Sequence, residues 1–153
     1  MTNPTFTLTS PAFTHGARVP ARHTCEGDDL SPPLQWSQVP EETRSFALIV
    51  DDPDAPSGTF THWVRFDIPA DARELPEGDV DLGIEGHNDF HQTGYGGPCP
   101  PPKHGDHRYQ YRLLALDAPT LDLVRGAARA DVEASLEGHV LAEAVLVGRY
   151  QRG

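Results

Sequence analysis

The chain is short of basic side chains, of cysteine and of long apolar runs, and each shortage removes a class of function. Twelve Lys and Arg stand against 23 Asp and Glu in 153 residues, for a formal net charge of −11. Such a surface repels phosphate-rich partners at long range, which argues against general binding of nucleic acid or anionic membrane. Any anion has to be caught locally. No window approaches the length of a membrane span, so no integral membrane segment is expected. The opening "MTNPTFTLTSPAF" has neither a basic start nor an apolar core of a signal, and a cytoplasmic location is expected. Cys25 and Cys99 are too few for a disulfide scaffold and too far apart for a CxxC motif. In the cytoplasm both are expected to be free thiols.

Catalytic signatures are missing too. There is no GxSxG nucleophile elbow, and Cys99 stands between prolines without an evident base. His87, His91, Cys99, His104 and His107 fall within a short span but form no HExxH or CxxC pair, so neither a metal nor another cofactor is expected.

What is present is proline and glycine, 15 and 14 residues, with a modest hydrophobic fraction of 37%. That balance predicts one domain over residues 1–153, mainly β, with long ordered loops. Ser45 to Val50 is continuously apolar and reads as a central strand buried on both faces, delivering the chain to Asp52. From His62 to Ile68 the residues alternate, which places His62, Val64, Phe66 and Ile68 on one face and Trp63, Arg65 and Asp67 on the other. His107 to Leu113 alternates likewise, with His107, Tyr109 and Tyr111 together. Further strands are expected near Thr5 to Thr9 and within Val140 to Val147. "ARADVEASLEG" is the helix candidate, stopped by Gly138. Residues 69–106 read as a long loop that prolines keep ordered.

Four segments suggest a polar site at the strand ends: Asp52-Pro53-Asp54-Ala55-Pro56, then His62-Trp63, then Gly97-Pro98-Cys99-Pro100-Pro101, then His107-Arg108-Tyr109. Imidazoles, the Tyr109 hydroxyl and the backbone N–H groups of Gly96 and Gly97 would donate to an anion. A bare carboxylate would repel it. Asp52 and Asp54 are therefore read as orienting the histidines, holding the corner through backbone hydrogen bonds, or meeting the cationic amine of a zwitterion. Trp36, Trp63 and Phe66 are read as packing residues, with Trp63 the one that reaches the pocket wall.

In this order the motifs resemble the phosphatidylethanolamine-binding protein family, in particular its bacterial Raf-kinase-inhibitor-like branch, over "PARHTCEGDDLSPPLQW", "FALIVDDPDAPSGTFTHWVRFDIP", "NDFHQTGYGGPCPPPKHGDHRYQYRLLALD" and "GHVLAEAVLVGRYQR". The resemblance implies a large antiparallel sheet with a smaller second sheet and one or two short helices. It also implies a pocket for a small phosphate-bearing or other anionic ligand, formed by Asp52, Asp54, His62, Gly97, Pro100, Pro101, His107 and Tyr109. A protein kinase partner and a homodimer come with the same family. The chain departs from the branch's NDFG pattern, carrying His91 where a glycine is expected. Two other readings of the same residues stay open: a hydrolase or metal-dependent enzyme, and an interaction protein whose pocket is vestigial.

Overall fold

The computed structural model describes residues 5–153. Its strands are β1 (Thr7–Thr9), β2 (Leu34–Ser37), β3 (Ser45–Asp52), β4 (Phe60–Pro69), β5 (Glu74–Leu75), β6 (Ile84–Glu85), β7 (His107–Leu116) and β8 (Val140–Tyr150), with helix α1 (Arg129–Leu136) before β8. A 3-10 turn spans Ala21–His23. The strands form a three-stranded sheet, β1-β2-β5, and a five-stranded sheet, β6-β4-β3-β7-β8. All the strand pairs are antiparallel.

β3 lies in the centre of the larger sheet and every one of its residues is buried, as its unbroken apolar run requires. On one face it meets the smaller sheet, where Phe46, Leu48 and Val50 pack with Leu8, Leu34 and Trp36. On the other face Ala47 and Ile49 join Val64, Phe66 and the α1 residues Val132 and Leu136. The larger sheet is thus covered on both sides, by a sheet on one and a helix on the other.

β4 departs from simple alternation at two places. Its pairing with β3 shifts register between Val50 and Asp51, because Trp63 opposes Val50 while Thr61 opposes Asp51, leaving His62 as the extra residue of a bulge. The bulge turns His62 away from Val64 and Phe66, the face that alternation assigns it. A second shift lies between Phe46 and Leu48, next to Asp67 at φ 53°. It sends Ile68 to the core between the sheets with Trp63, while Phe66 stays on the helix side.

The outer edge of β8 is half covered. Residues 16–19 run along it as a strap, with Gly16 N–H donating to Val147 O, Val19 N–H to Arg149 O, and Arg149 N–H to Ala17 O. Gly148 permits this close approach, since a Cβ there would stand 2.5 Å from the Val19 side chain.

The two cysteines are not free. Cys25 and Cys99 form a disulfide, with Cα atoms 5.4 Å apart and the two residues 74 positions apart in sequence. The expectation of two thiols rested on a cytoplasmic location and left their distance in space open; the fold lays the 3-10 turn and the residues after it against the Gly-Pro segment. Among the described residues, no helix is long and apolar enough to cross a membrane.

Candidate ligand pocket

Where β3 ends and β4 and β7 begin, a cavity of about 530 Å³ opens. Of the residues expected to bind, Asp52, His62, Pro100, Pro101, His107 and Tyr109 line it. Asp54 and Gly97 do not. Gly97 lies behind the rim, where its N–H donates to Asp29 Oδ1 (2.9 Å) and a Cβ would stand 2.2 Å from the His23 carbonyl. Its absent side chain serves close packing.

Asp52 organises the corner. Its Oδ1 accepts the Asp54 N–H (2.7 Å), the Asx-turn expected of an Asp-Pro-Asp sequence, and its Oδ2 accepts from His107 Nδ1 (2.6 Å). The ring is engaged at both ends, since His107 Nε2 lies 2.6 Å from His104 Nδ1. One proton per contact satisfies the whole chain: His107 donates from Nδ1 to the carboxylate, and His104 donates from Nδ1 to His107 Nε2. His107 is therefore locked, with no free nitrogen for a ligand in this arrangement. His104 entered the sequence reading only as a metal candidate, and nothing in its loop position signals this role.

Asp54 turns outward to Arg108. Its Oδ2 accepts from the Arg108 backbone N–H and Nε (both 2.9 Å), and its Oδ1 from Nη2 (2.8 Å). The Arg108 hydrogen bonds hold the Asp54 carboxyl at about 2, below its ordinary 3.8. A carboxyl with a depressed folded pKa stabilises the fold above its unfolded value and loses that contribution as pH falls through the folded one. Wild type is thus expected to exceed Asp54→Asn in stability by about 1 kcal/mol at pH 7, a partly exposed pair being screened. The gap should close between about pH 4 and pH 2. Urea denaturation of both proteins across that range checks it, and a constant gap would remove the ion pair as its cause.

His62 is held by its Nδ1, 2.7 Å from the Gly96 carbonyl. The carbonyl can only accept, so Nδ1 carries the proton and Nε2 is left for the cavity. Burial lowers the pKa of this imidazole, so the pocket holds it neutral at pH 7. Tyr109 packs edge-on against it, with ring centroids 5.2 Å apart. The Tyr109 hydroxyl is buried and has no hydrogen-bond partner among the described residues. Burial, and the Asp52 charge nearby, raise its pKa far above the ordinary phenol value, so it keeps its proton and remains a neutral donor.

Three features of the pocket escape the sequence reading. Its wall is formed by Phe60 and Phe90, in edge contact at 4.8 Å, rather than by Trp63. Trp63 is buried elsewhere, donating from Nε1 to Glu85 Oε2 (2.9 Å). The glycine N–H groups expected to cradle an anion are spent inside the protein, Gly96 on the His62 carbonyl (2.9 Å) and Gly97 on Asp29. Finally, the lining holds two carboxylates, Asp52 and Asp89, and no Lys or Arg. At the rim, His91 sits at φ 64°, a left-handed conformation that explains why glycine suits this position.

A sequence profile described as "Phosphatidylethanolamine-binding protein" matches residues 9–151. A UPF0098 protein of Aquifex aeolicus is 51% identical over 148 residues, covering 94% of this chain and 86% of the relative. Among solved structures, a phosphatidylethanolamine-binding protein homologue from Chlamydia trachomatis superposes with a TM-score of 0.92 at 35% identity, covering 97% of this chain and 99% of that one. E. coli YbcL, described as a new member of the mammalian family, gives 0.91 at 33% identity, covering 98% and 100%. Fold, motifs and comparisons agree: the chain belongs to the phosphatidylethanolamine-binding protein family.

Proposed function

We propose that this protein binds a small phosphate-bearing or other anionic headgroup in the Asp52–His62–Tyr109 pocket, as a binding protein rather than an enzyme. The observation that supports the reading most is Tyr109, a lining residue whose buried hydroxyl lies near Asp52 but outside hydrogen-bond geometry with any described residue. A buried donor left unpaired costs about 1–3 kcal/mol, which a ligand oxygen would relieve. The locked His107 offers no general base, since its Nε2 is taken by His104, so a hydrolase reading would have to rest on His62. The reading requires neither a protein kinase nor a second copy of the chain.

With no fixed cation in the lining, a dianion meets Asp52 and Asp89 unopposed. The favoured ligand is therefore a monoanion or a zwitterion whose ammonium group faces a carboxylate, and anion binding gains when His62 takes up a proton. Because burial lowers the His62 pKa, that gain should appear below the ordinary imidazole value of about 6.5.

Calorimetry with phosphorylethanolamine and with sulfate tests the proposal. Tyr109→Phe should weaken both by about fivefold, the worth of one hydrogen bond of about 1 kcal/mol. Glu133→Gln on α1, across the sheet from the pocket, should change neither. Sulfate, fully ionised throughout, should bind more tightly at pH 5.5 than at pH 8, and His62→Gln alone should abolish that dependence. Equal affinity in wild type and Tyr109→Phe would move the function away from this pocket.

We also infer a cytoplasmic location, where a disulfide is transient and redox-sensing rather than permanent.

A further inference from the structure

The rim of the pocket has unusual chemistry for a structural wall. Residues 98–102 read Pro-Cys-Pro-Pro-Pro, so only Cys99 has an N–H and the segment cannot join a backbone ladder. Hydrogen bonds hold it chiefly through its carbonyls: Pro98 O accepts the Cys25 N–H (3.1 Å), and Pro100 O accepts Arg152 Nε (2.6 Å). Its covalent restraint is the Cys25–Cys99 bond. Cys99, Pro100 and Pro101 themselves line the cavity, while Cys25 is exposed at the surface. One residue of the bond thus lines the ligand space and the other lies at the surface.

We propose that the Cys25–Cys99 disulfide is a redox latch on the pocket, holding the proline rim in its binding shape when oxidised and releasing it when reduced by a dithiol. The inference rests on the functional reading above, since it concerns regulation of the same site. A reductant thiolate attacks the sulfur of the surface residue Cys25, the S–S bond breaks, and Cys99 leaves as a thiolate that takes up a proton. The second thiolate of the reductant then attacks its own mixed disulfide. This frees Cys25, which is protonated in turn, and converts the dithiol to a disulfide, so that two electrons pass to the protein. Freed from Cys25, a rim with a single N–H has few bonds with which to keep its position. A ligand must then bear the cost of ordering Pro100 and Pro101 on binding.

The test compares oxidised protein, protein held in dithiothreitol, and Cys25→Ala, which removes the tether but leaves the Cys99 side chain in the wall. Hydrogen exchange at the Gly97 and Cys99 amides should be at least tenfold faster in the reduced protein and the variant. Phosphorylethanolamine affinity by calorimetry should fall at least fivefold in both. Unchanged exchange overturns the latch whatever the ligand, as does finding two reactive thiols in the oxidised protein. Faster exchange with equal affinity overturns control of binding. If the oxidised protein binds neither phosphorylethanolamine nor sulfate, the functional reading falls and binding control falls with it, while exchange alone still decides whether the bond fixes the rim.

Discussion

Arg65→Met is expected to lower folding stability by about 3–5 kcal/mol, because it leaves two acidic groups beneath the sheet without their cation. Arg65 is fully buried and donates from Nη1 to Asp79 Oδ2 (2.9 Å), from Nη2 to the Asp79 carbonyl (2.6 Å), and from Nη2 to Glu85 Oε1. Glu85 is buried as well and also accepts from Trp63. Methionine matches the apolar stem of the arginine but not its charge, so the loss reports the stranded carboxylates rather than a cavity. Replacing the partners too, as Arg65→Met with Glu85→Gln and Asp79→Asn, should recover much of the deficit. Guanidinium denaturation of the single and triple variants measures both. A triple variant no more stable than Arg65→Met would show that packing, and not charge, sets the cost.

Reduction of the Cys25–Cys99 bond should lower stability by about 2–4 kcal/mol, for a reason located in the unfolded chain. The bond spans 74 positions of sequence, and a cross-link over so long a loop removes much of the freedom of the unfolded ensemble. For a chain of this length the melting temperature should drop by roughly 5–15 °C on addition of dithiothreitol. Calorimetric scans with and without reductant check this, with Cys25→Ala as the control on which the reductant should have no effect. A melting temperature insensitive to reductant in wild type would mean that the unfolded chain gains little from release.

The elements with strong local signals were legible in the residues. β3 and β7 carry apolar and alternating patterns that their neighbours enforce, and α1 ends where Gly138 takes φ 81°. β2, β5 and β6 were missed. They are only two to four residues long, below the length at which a period can be counted, and β5 and β6 lie in the segment read as loop. Of the site, the corner at Asp52 was readable because an Asx-turn is local chemistry. The failures were non-local. Asp54 was diverted by Arg108, a residue far along the chain, and Gly96 and Gly97 spent their donors on partners contributed by other loops. The disulfide was missed because free thiols were inferred from the expected compartment, and no local pattern announces that residues 25 and 99 share a corner. At His62 alternation pointed to the wrong face, because a bulge adds one residue and period-two counting cannot see it.

The strap across β8 has a consequence for the order in which the molecule is completed. Residues 16–19 are synthesised more than a hundred residues before the strand whose edge they cover, Val140–Tyr150. Until it emerges, the strap has no ladder to join, and the outer edge of β7 stands open as well. Sheet closure is thus a late, long-range event, of the kind that slows folding and leaves strand edges exposed to other chains in the meantime.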